Sequence, residues 1–458
     1  MADRKTLFAT IAEACTSMAN CFQQLASLED PVATPVPTPA PTPVPVPAPV
    51  PVPAPPAANG TLKLPASTAM VAPVYGAVPK DGESRTVAET GVTVTRKAAG
   101  LIVYSRYSPF SCDNALLLVH GENSTSCKII RTDTGAAVLV LAMLGEVNEL
   151  RWDAADPDLL YFVKDMGFYS LRVSTNKQTL IRDFTADFPD GSLVMNDVEG
   201  DCSLDSRYWC WQVKKIVQTG SYPTIAIFTY DKLTNNILGR LTPASDGVAS
   251  FNKPNMVEIS PDGLWALIHW DRAYTGWNDG DIGTHRNGPH FYPLNLDTSK
   301  AVWACPNSTH SGWAKSSDGW KFIYQNDRTD WIEAIKPGVP YKEDGSNQIR
   351  IAAQGDFDKD WSMGWHIAKS PYPYALISTY SKTSKDWADN QIYFYPLQAG
   401  ATPLRVSPSY SKYPGDDGYR NEAPAALSRD GTLMAWSTNW GATARAAFVA
   451  KIPFGSAT

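Results

Sequence analysis

Long apolar runs are missing from this chain, and so are the short signatures that announce most enzymes. The longest uninterrupted apolar stretch, Ala136 to Leu144, falls well short of the ~20 residues a membrane-crossing helix requires, so no membrane span is expected. Positive charge is not in excess either: 40 Lys and Arg stand against 46 Asp and Glu, a net charge of -6. Such a balance gives no general attraction to nucleic acid or to an anionic bilayer, and no nucleic-acid partner is expected. The seven cysteines, Cys15, Cys21, Cys112, Cys127, Cys202, Cys210 and Cys305, show no C-x-x-C spacing, which argues against a zinc framework. Cys202 with Cys210, and Cys112 with Cys127, are placed to pair on neighbouring strands or to remain buried thiols. G-x-S-x-G, H-E-x-x-H, P-loop and dinucleotide fingerprints are absent from any supporting strand–turn–helix setting, leaving hydrolase and kinase chemistry without a foothold. The opening "MADRKTLFATIAEACTSMANC" starts basic, but Glu13 interrupts its apolar stretch, and no export signal is expected.

Proline is what the chain has in abundance. Residues 31–56, "PVATPVPTPAPTPVPVPAPVPVPAPP", carry it at nearly every second position. That forbids helix and sheet interior alike and leaves polyproline II, which at ~3.1 Å per residue would reach ~80 Å. Ahead of this rod, Leu7, Ile11, Ala14, Met18, Cys21, Leu25 and Leu28 are spaced 4, 3, 4, 3, 4, 3, an unbroken heptad seam. Three heptads with Ala and Cys in the seam are weak alone, so the helix needs sister copies and a docking surface. The expected organisation is a coiled-coil anchor at 1–30, a Pro-rich stalk at 31–58, an irregular adaptor at 59–90 and a β domain at 91–458. A homo-oligomer through the helix follows, with a trimer favoured.

After residue 100 the chain reads as short apolar strands separated by turns, an all-β pattern. One phrase recurs: "ISPDGLWALIHWD" from Ile259, "KSSDGWKFIYQND" from Lys315 and "LSRDGTLMAWSTN" from Leu427, with weaker copies from Phe110, Ala154, Cys202 and Lys369. The markers Asp113, Asp156, Asp205, Asp262, Asp318, Tyr372 and Asp430 lie 43, 49, 57, 56, 54 and 58 residues apart, a period suited to four-stranded propeller blades. The fold class expected is therefore a seven-bladed β-propeller behind a coiled-coil helix and a polyproline stalk. The C-terminal "AAFVAKIPF" supplies only a third strand to the last blade, and "GVTVTRK" from Gly91 is placed to complete it. These S-x-D-G phrases resemble the TolB-type, WD-like propeller repeats also seen in oligogalacturonate lyase-like proteins, over residues 91–458. The resemblance implies the fold and, by itself, no activity.

In a propeller the residues preceding each innermost strand gather at one mouth of the central channel. Counting six back from each Ser or its equivalent gives Asn148, Asp197, Pro254, His310, Gly364 and Glu422, with His366 two residues after Gly364. Asp197, His310 and Glu422 are candidates to converge on a divalent cation, calcium or manganese. The lyase-like resemblance implies a histidine cluster around manganese that includes an H-x-H pair, and this chain has no such pair. Loop residues Trp277, His285, Trp361, Trp365, His366, Trp387, Tyr413, Tyr419 and Trp440 offer flat apolar faces beside polar groups, the surface that sugars bind by stacking and hydrogen bonding.

The order of anchor, rod and aromatic-rich head resembles phage tail-fibre or head-fibre proteins, which reach the cell exterior by assembly and lysis. The expected function is a virion fibre or decoration protein, anchored on a virion structural protein and binding host-surface glycan or receptor through the propeller. Two alternatives remain: a propeller polysaccharide lyase with a metal at the channel mouth, and an exported scaffold of the bacterial periplasm or cell surface.

Overall fold

The S-x-D phrases each build the same turn. In the computed structural model of the chain, the hydroxyls of Ser111, Ser203, Ser260, Ser316 and Ser428 donate to Asp113, Asp205, Asp262, Asp318 and Asp430. The same oxygens of Ser111, Ser203, Ser260 and Ser428 accept the backbone N–H five residues on, at 2.9–3.0 Å. The turn demands one left-handed residue, which is Gly263 (φ 72°) and Gly431 (φ 72°) in two blades and Asn114 (φ 63°) and Ser206 (φ 56°) in two others. Where the phrase is degenerate the cap changes: Asp153 accepts from Ala155 and Asp156 at 2.8 Å each.

The structure describes residues 62–102, 104–121, 126–142, 149–196, 199–217, 222–242, 254–270, 288–306, 310–326, 329–356, 358, 363–383, 385–413 and 421–454. The heptad seam and the Pro-rich rod lie outside them. Each turn links an inner strand to an apolar second strand, and the described strands form seven separate sheets, antiparallel except where Lys369–Ser370 pairs in parallel with Gly312–Ser316. Blade 1 comprises Leu116–His120, Ser126–Arg131 and Ala137–Ala142, with an irregular inner segment bridged at Leu101–His120 and Phe110–Leu117. Blade 2 begins at Arg151–Trp152, blade 3 at Leu193–Met195, blade 4 at Pro254–Ile259, blade 5 at Gly312–Ser316 and blade 6 at Met363–Ile367. Each of these five contributes four antiparallel strands.

Blade 7 closes the ring. Its strands Ala426–Leu427, Leu433–Thr438 and Ala446–Lys451 are completed by Thr93–Ala99, paired antiparallel from Val94–Ala450 to Ala99–Ala446. The segment Ser84–Thr86 adds a fifth, outermost strand. The expected completion by "GVTVTRK" is therefore what the structure has.

Seven apolar clusters fill the seven gaps between neighbouring blades. Trp209 and Trp211 from blade 3 pack with Phe168 and Phe184 from the end of blade 2. Ala98, Ala435 and Val449 from blade 7 pack with Leu117, Val119 and Ile130 from blade 1. The five described cysteines are free thiols, four of them buried in this apolar material. Residues 62–75 form a strap across blades 6 and 7. Lys63 N–H donates to Pro453 O at 2.8 Å, Arg405 N–H to Pro65 O at 3.0 Å, and the Gln391 amide to Val71 O at 3.1 Å.

Two outcomes are expected. Deleting residues 1–61 leaves a cooperative thermal transition by circular dichroism, whereas deleting 1–99, which removes the closing strand, abolishes it. Trp211→Ala costs about 3–5 kcal/mol in urea denaturation, because it empties a gap where Trp209 stacks on it at 5.3 Å.

Candidate functional site at the channel mouth

Side chains from the inner strands of different blades meet across the axis. Arg106 from blade 1, 1% exposed, reaches Glu199 of blade 3 at 3.6 Å and Glu258 of blade 4 at 3.4 Å, and donates to Ser311 Oγ of blade 5 at 2.7 Å. Trp313 Nε1–H donates to Glu258 at 3.1 Å. Tyr104 donates its hydroxyl proton to Glu199. Burial pushes the Glu258 carboxyl up to about 6, against the opposing pull of Arg106. Burial also keeps His269, 4.0 Å from Glu258, neutral. A fully enclosed cation thus sits between carboxylates from two other blades, an arrangement whose desolvation cost is offset only while every partner remains.

Beside this network lie His310, His366 and Glu422. The two imidazoles are stacked, with centroids 4.5 Å apart and planes 23° from parallel. His310 Nδ1 meets the carbonyl oxygen of Trp365 at 2.6 Å, so that nitrogen carries the proton and Nε2 holds the lone pair. His366 Nε2 lies 2.9 Å from Glu422 Oε2. Burial pushes the Glu422 carboxyl up to about 7, while burial and then the His366 neighbour bring His310 down to about 4. Near neutral pH the Glu422 carboxyl is therefore at the edge of ionisation, beside a His366 that burial keeps neutral.

Tyr380 completes the cluster from the second strand of blade 6. Its ring lies 5.5 Å from His366, and its hydroxyl stabilises the charged form of Glu422. Gly364 is the reason it fits: a Cβ there would lie 2.2 Å from the Tyr380 ring. The chain reads Gly364-Trp365-His366 where an H-x-H pair would need a second imidazole, and the Tyr380 ring fills that space.

These donors do not suit a metal ion as arranged. Imidazole lone pairs lie in the ring plane, so stacked rings direct them side by side rather than to one point. His366 Nε2 is moreover engaged by Glu422. Among the described residues no group of three or more His, Cys, Asp or Glu side chains is placed to hold a metal. Of the expected trio, His310 and Glu422 do come together, and Asp197 lies outside the described residues.

A cleft adjoins the mouth. Tyr413 packs against Tyr380 at 5.1 Å and lines a hollow between blades 6 and 7 and the strap, with an empty volume of about 1000 Å³ including the part open to solvent. Tyr75, Ser381, Asn390, Lys412 and an edge of Trp440 line it too. The Asn390 amide is spent on the Ser381 and Thr383 carbonyls and the Ser411 hydroxyl on Asn421 O, which leaves the tyrosine rings and the exposed Lys412 side chain as its open surface.

The expected ligand aromatics are distributed differently. Trp440 is stacked on Tyr410 at 4.0 Å and on Phe448 at 5.0 Å, and its Nε1–H donates to Tyr75 O. Its faces are therefore not available to a sugar, because packing them between rings buries more apolar area than a solvent-facing site would. Trp365 is buried in the gap between blades 5 and 6, and Trp387 is half-buried there against Tyr393 at 5.5 Å, donating to Asp356 O. His366 faces Glu422 in the mouth. Trp277, His285, Trp361 and Tyr419 lie outside the described residues. The residues that sequence reading missed are Tyr104, Arg106, Glu199, Glu258 and Tyr380. The first four lie on inner segments within two to seven residues of the same serines, so widening the count on either side of six finds them; Tyr380, on a second strand, carries no such signal.

No protein-family model matches the sequence, and no curated protein matches it. Solved structures do match in fold. An oligogalacturonate lyase in complex with manganese is 13% identical, with a TM-score of 0.53 over 82% of this chain and 97% of that one. The oligogalacturonate lyase of Vibrio parahaemolyticus is 11% identical, with a TM-score of 0.54 over 81% of this chain and 96% of that one. At these identities the likeness is one of propeller fold, and it agrees with the TolB-type repeats read from the sequence.

The raised Glu422 carboxyl makes the fold pH-dependent. A folded-state pKa above the ordinary carboxyl value means that the folded protein holds its proton longer, so this group's contribution is present at low pH and is lost as pH rises through about 7. Glu422→Gln, which cannot ionise, should therefore gain stability relative to the parent between pH 5 and pH 8 in urea denaturation. An unchanged difference across that range would show that the carboxyl ionises normally.

Proposed function

We propose that this chain is a stalked adhesin of the virion fibre or decoration type. Residues 1–30 anchor it to a virion structural protein as an oligomer, the Pro-rich segment spaces the head outward, and the propeller binds host-surface glycan or receptor. One observation carries the binding part: the cleft beside the channel mouth, where the Tyr413 and Tyr75 rings and the exposed Lys412 side chain offer apolar faces beside a polar group, as a sugar does in return. The strap supports the spacing part. Hydrogen bonds from Lys63 onward tie the described start of the chain to blades 6 and 7.

A propeller of this kind works as a rigid platform. Its axis is occupied by ion pairs and its mouth by stacked imidazoles, and the recognition surface is built on loops and strap that the blades hold in place. In glycan-array and calorimetric binding with the full chain, Tyr413→Ala should weaken binding by about tenfold or more, the loss expected of a central aromatic contact. Glycan binding unaffected by both Tyr413→Ala and Lys412→Ala would remove the cleft from the reading. Deleting residues 1–58 should abolish particle attachment and leave glycan binding by the free head intact.

A second reading rests on the meeting of His310, His366 and Glu422 at the mouth of a propeller shaped like the two lyases. It makes the protein a metal-dependent lyase of acidic polysaccharide, which requires His310 and His366 to leave their stacked arrangement, since the donors as they stand do not suit a metal ion. Manganese binding measured by calorimetry, together with cleavage lost in His310→Ala, would favour it. Cleavage retained in both His310→Ala and Glu422→Ala would end it.

A further inference from the structure

The opposite end of the axis, on the side of the S-x-D turns, has a different character. Six of the seven blades send a residue to one pocket there: Tyr107, Arg151, Asp201, Trp320, Lys369 and Arg429 come from blades 1, 2, 3, 5, 6 and 7. Its empty volume is about 410 Å³ including the part open to solvent, and the enclosed part has room for one small group.

Charge in this pocket is unbalanced. Among its lining residues three side chains are cationic and one, Asp201, is a carboxylate. Arg151 lies 3.4 Å from Asp201, and Lys369 donates to the other oxygen of the same carboxylate. Glu149 stands behind them, accepting the Asn196 N–H at 2.9 and 3.0 Å, and does not line the pocket. Glu258 likewise stands behind the lining, within the field of Lys369. Of the three lining cations, Arg429 makes no ion pair among the described residues. Its two terminal nitrogens are fixed on backbone and hydroxyl oxygens: Nη1 donates to Leu204 O, and Nη2 to Trp152 O at 2.7 Å and Ser206 Oγ at 3.3 Å. Its Nε–H is buried and has no acceptor.

A buried donor on a held guanidinium, beside two further cations that share one carboxylate, is the recognition chemistry of an anion. We propose that this axial pocket binds an oxyanion group, the carboxylate or sulfate tip of a larger ligand. Arg429 Nε–H and Lys369 Nζ are its donors, and the Trp320 and Tyr107 rings bound the space beside it. The tip enters from the turn face. Enclosure in low dielectric strengthens each contact, and the fixed Arg429 loses little freedom on binding. The site is separate from the cleft and stands whether or not the cleft binds glycan.

The test is thermal melting of the full chain titrated with sodium glucuronate and, separately, sodium sulfate, at fixed ionic strength and fixed chloride, with glucose as the neutral control. A saturable rise in Tm with either anion and none with glucose is expected. Saturation by glucuronate alone assigns a carboxylate ligand, and saturation by sulfate alone a sulfated one. Arg429→Gln and Lys369→Gln should each weaken the apparent affinity by about tenfold, the scale of one charge-assisted hydrogen bond, with cooperative melting retained. If Arg429→Gln fails to fold, Lys369→Gln and the charge-keeping Arg429→Lys carry the comparison, with Lys369→Gln the weaker binder of the two. A rise that does not saturate, or that is the same in the parent and the variants, is a bulk salt effect and overturns the proposal.

Discussion

Closure of the ring is the constraint on which everything else depends. A blade is apolar on both faces, so each of the seven gaps must be filled, and a ring with one open gap would expose two such faces at once. The strand Thr93–Ala99 removes that exposure by pairing with Ala446–Lys451, and Ala98 and Val449 then pack onto Leu117 and Ile130 of blade 1. Chain segments some 350 residues apart are thereby joined, and the cost in loop closure grows only slowly with that length. Once the ring is shut, the inner strands have no freedom to splay.

The polar axis follows from that rigidity. Arg106 can be buried at 1% exposure only because Glu199, Glu258 and Ser311, from three other blades, are held within reach of it. Removing any partner would strand a charge in low dielectric. The axis is also uneven along its length. At the mouth burial drives Glu422 toward neutrality, whereas toward the turn end the cations Arg151, Lys369 and Arg429 gather around Asp201, and Glu258, also raised by burial, lies between the two. Asp201 illustrates the contrast: burial alone would raise its carboxyl, yet Lys369 and Arg151 together hold it below the ordinary range. Two carboxyl environments within one channel are thus set by which blades contribute cations.

Ring packing also shapes the mouth around His366. Gly364 leaves room for the Tyr380 ring, and that ring sits over His366 and reaches Glu422. His310 then stacks on His366 instead of converging with it.

Much of the fold was legible because local chemistry and global repeat agree. Ser-x-Asp followed by a left-handed residue forces a tight reversal, and the reversal recurs at the spacing of a blade, so blade number, turn positions and the closing strand could all be read from residue order. The meeting of His310, His366 and Glu422 was partly legible for the same reason, since a fixed count from each serine fixes height along the axis. Tertiary structure alone decided the rest. Which way Trp365 and Trp440 turn depends on the neighbouring blade's side chains, and both are drawn into the apolar gaps. The partners of Arg106, the Tyr380 ring over Gly364 and the cationic pocket around Arg429 each join residues from several blades. Their encounter depends on the angle at which the closed ring presents its strands, a quantity that no local stretch of sequence encodes.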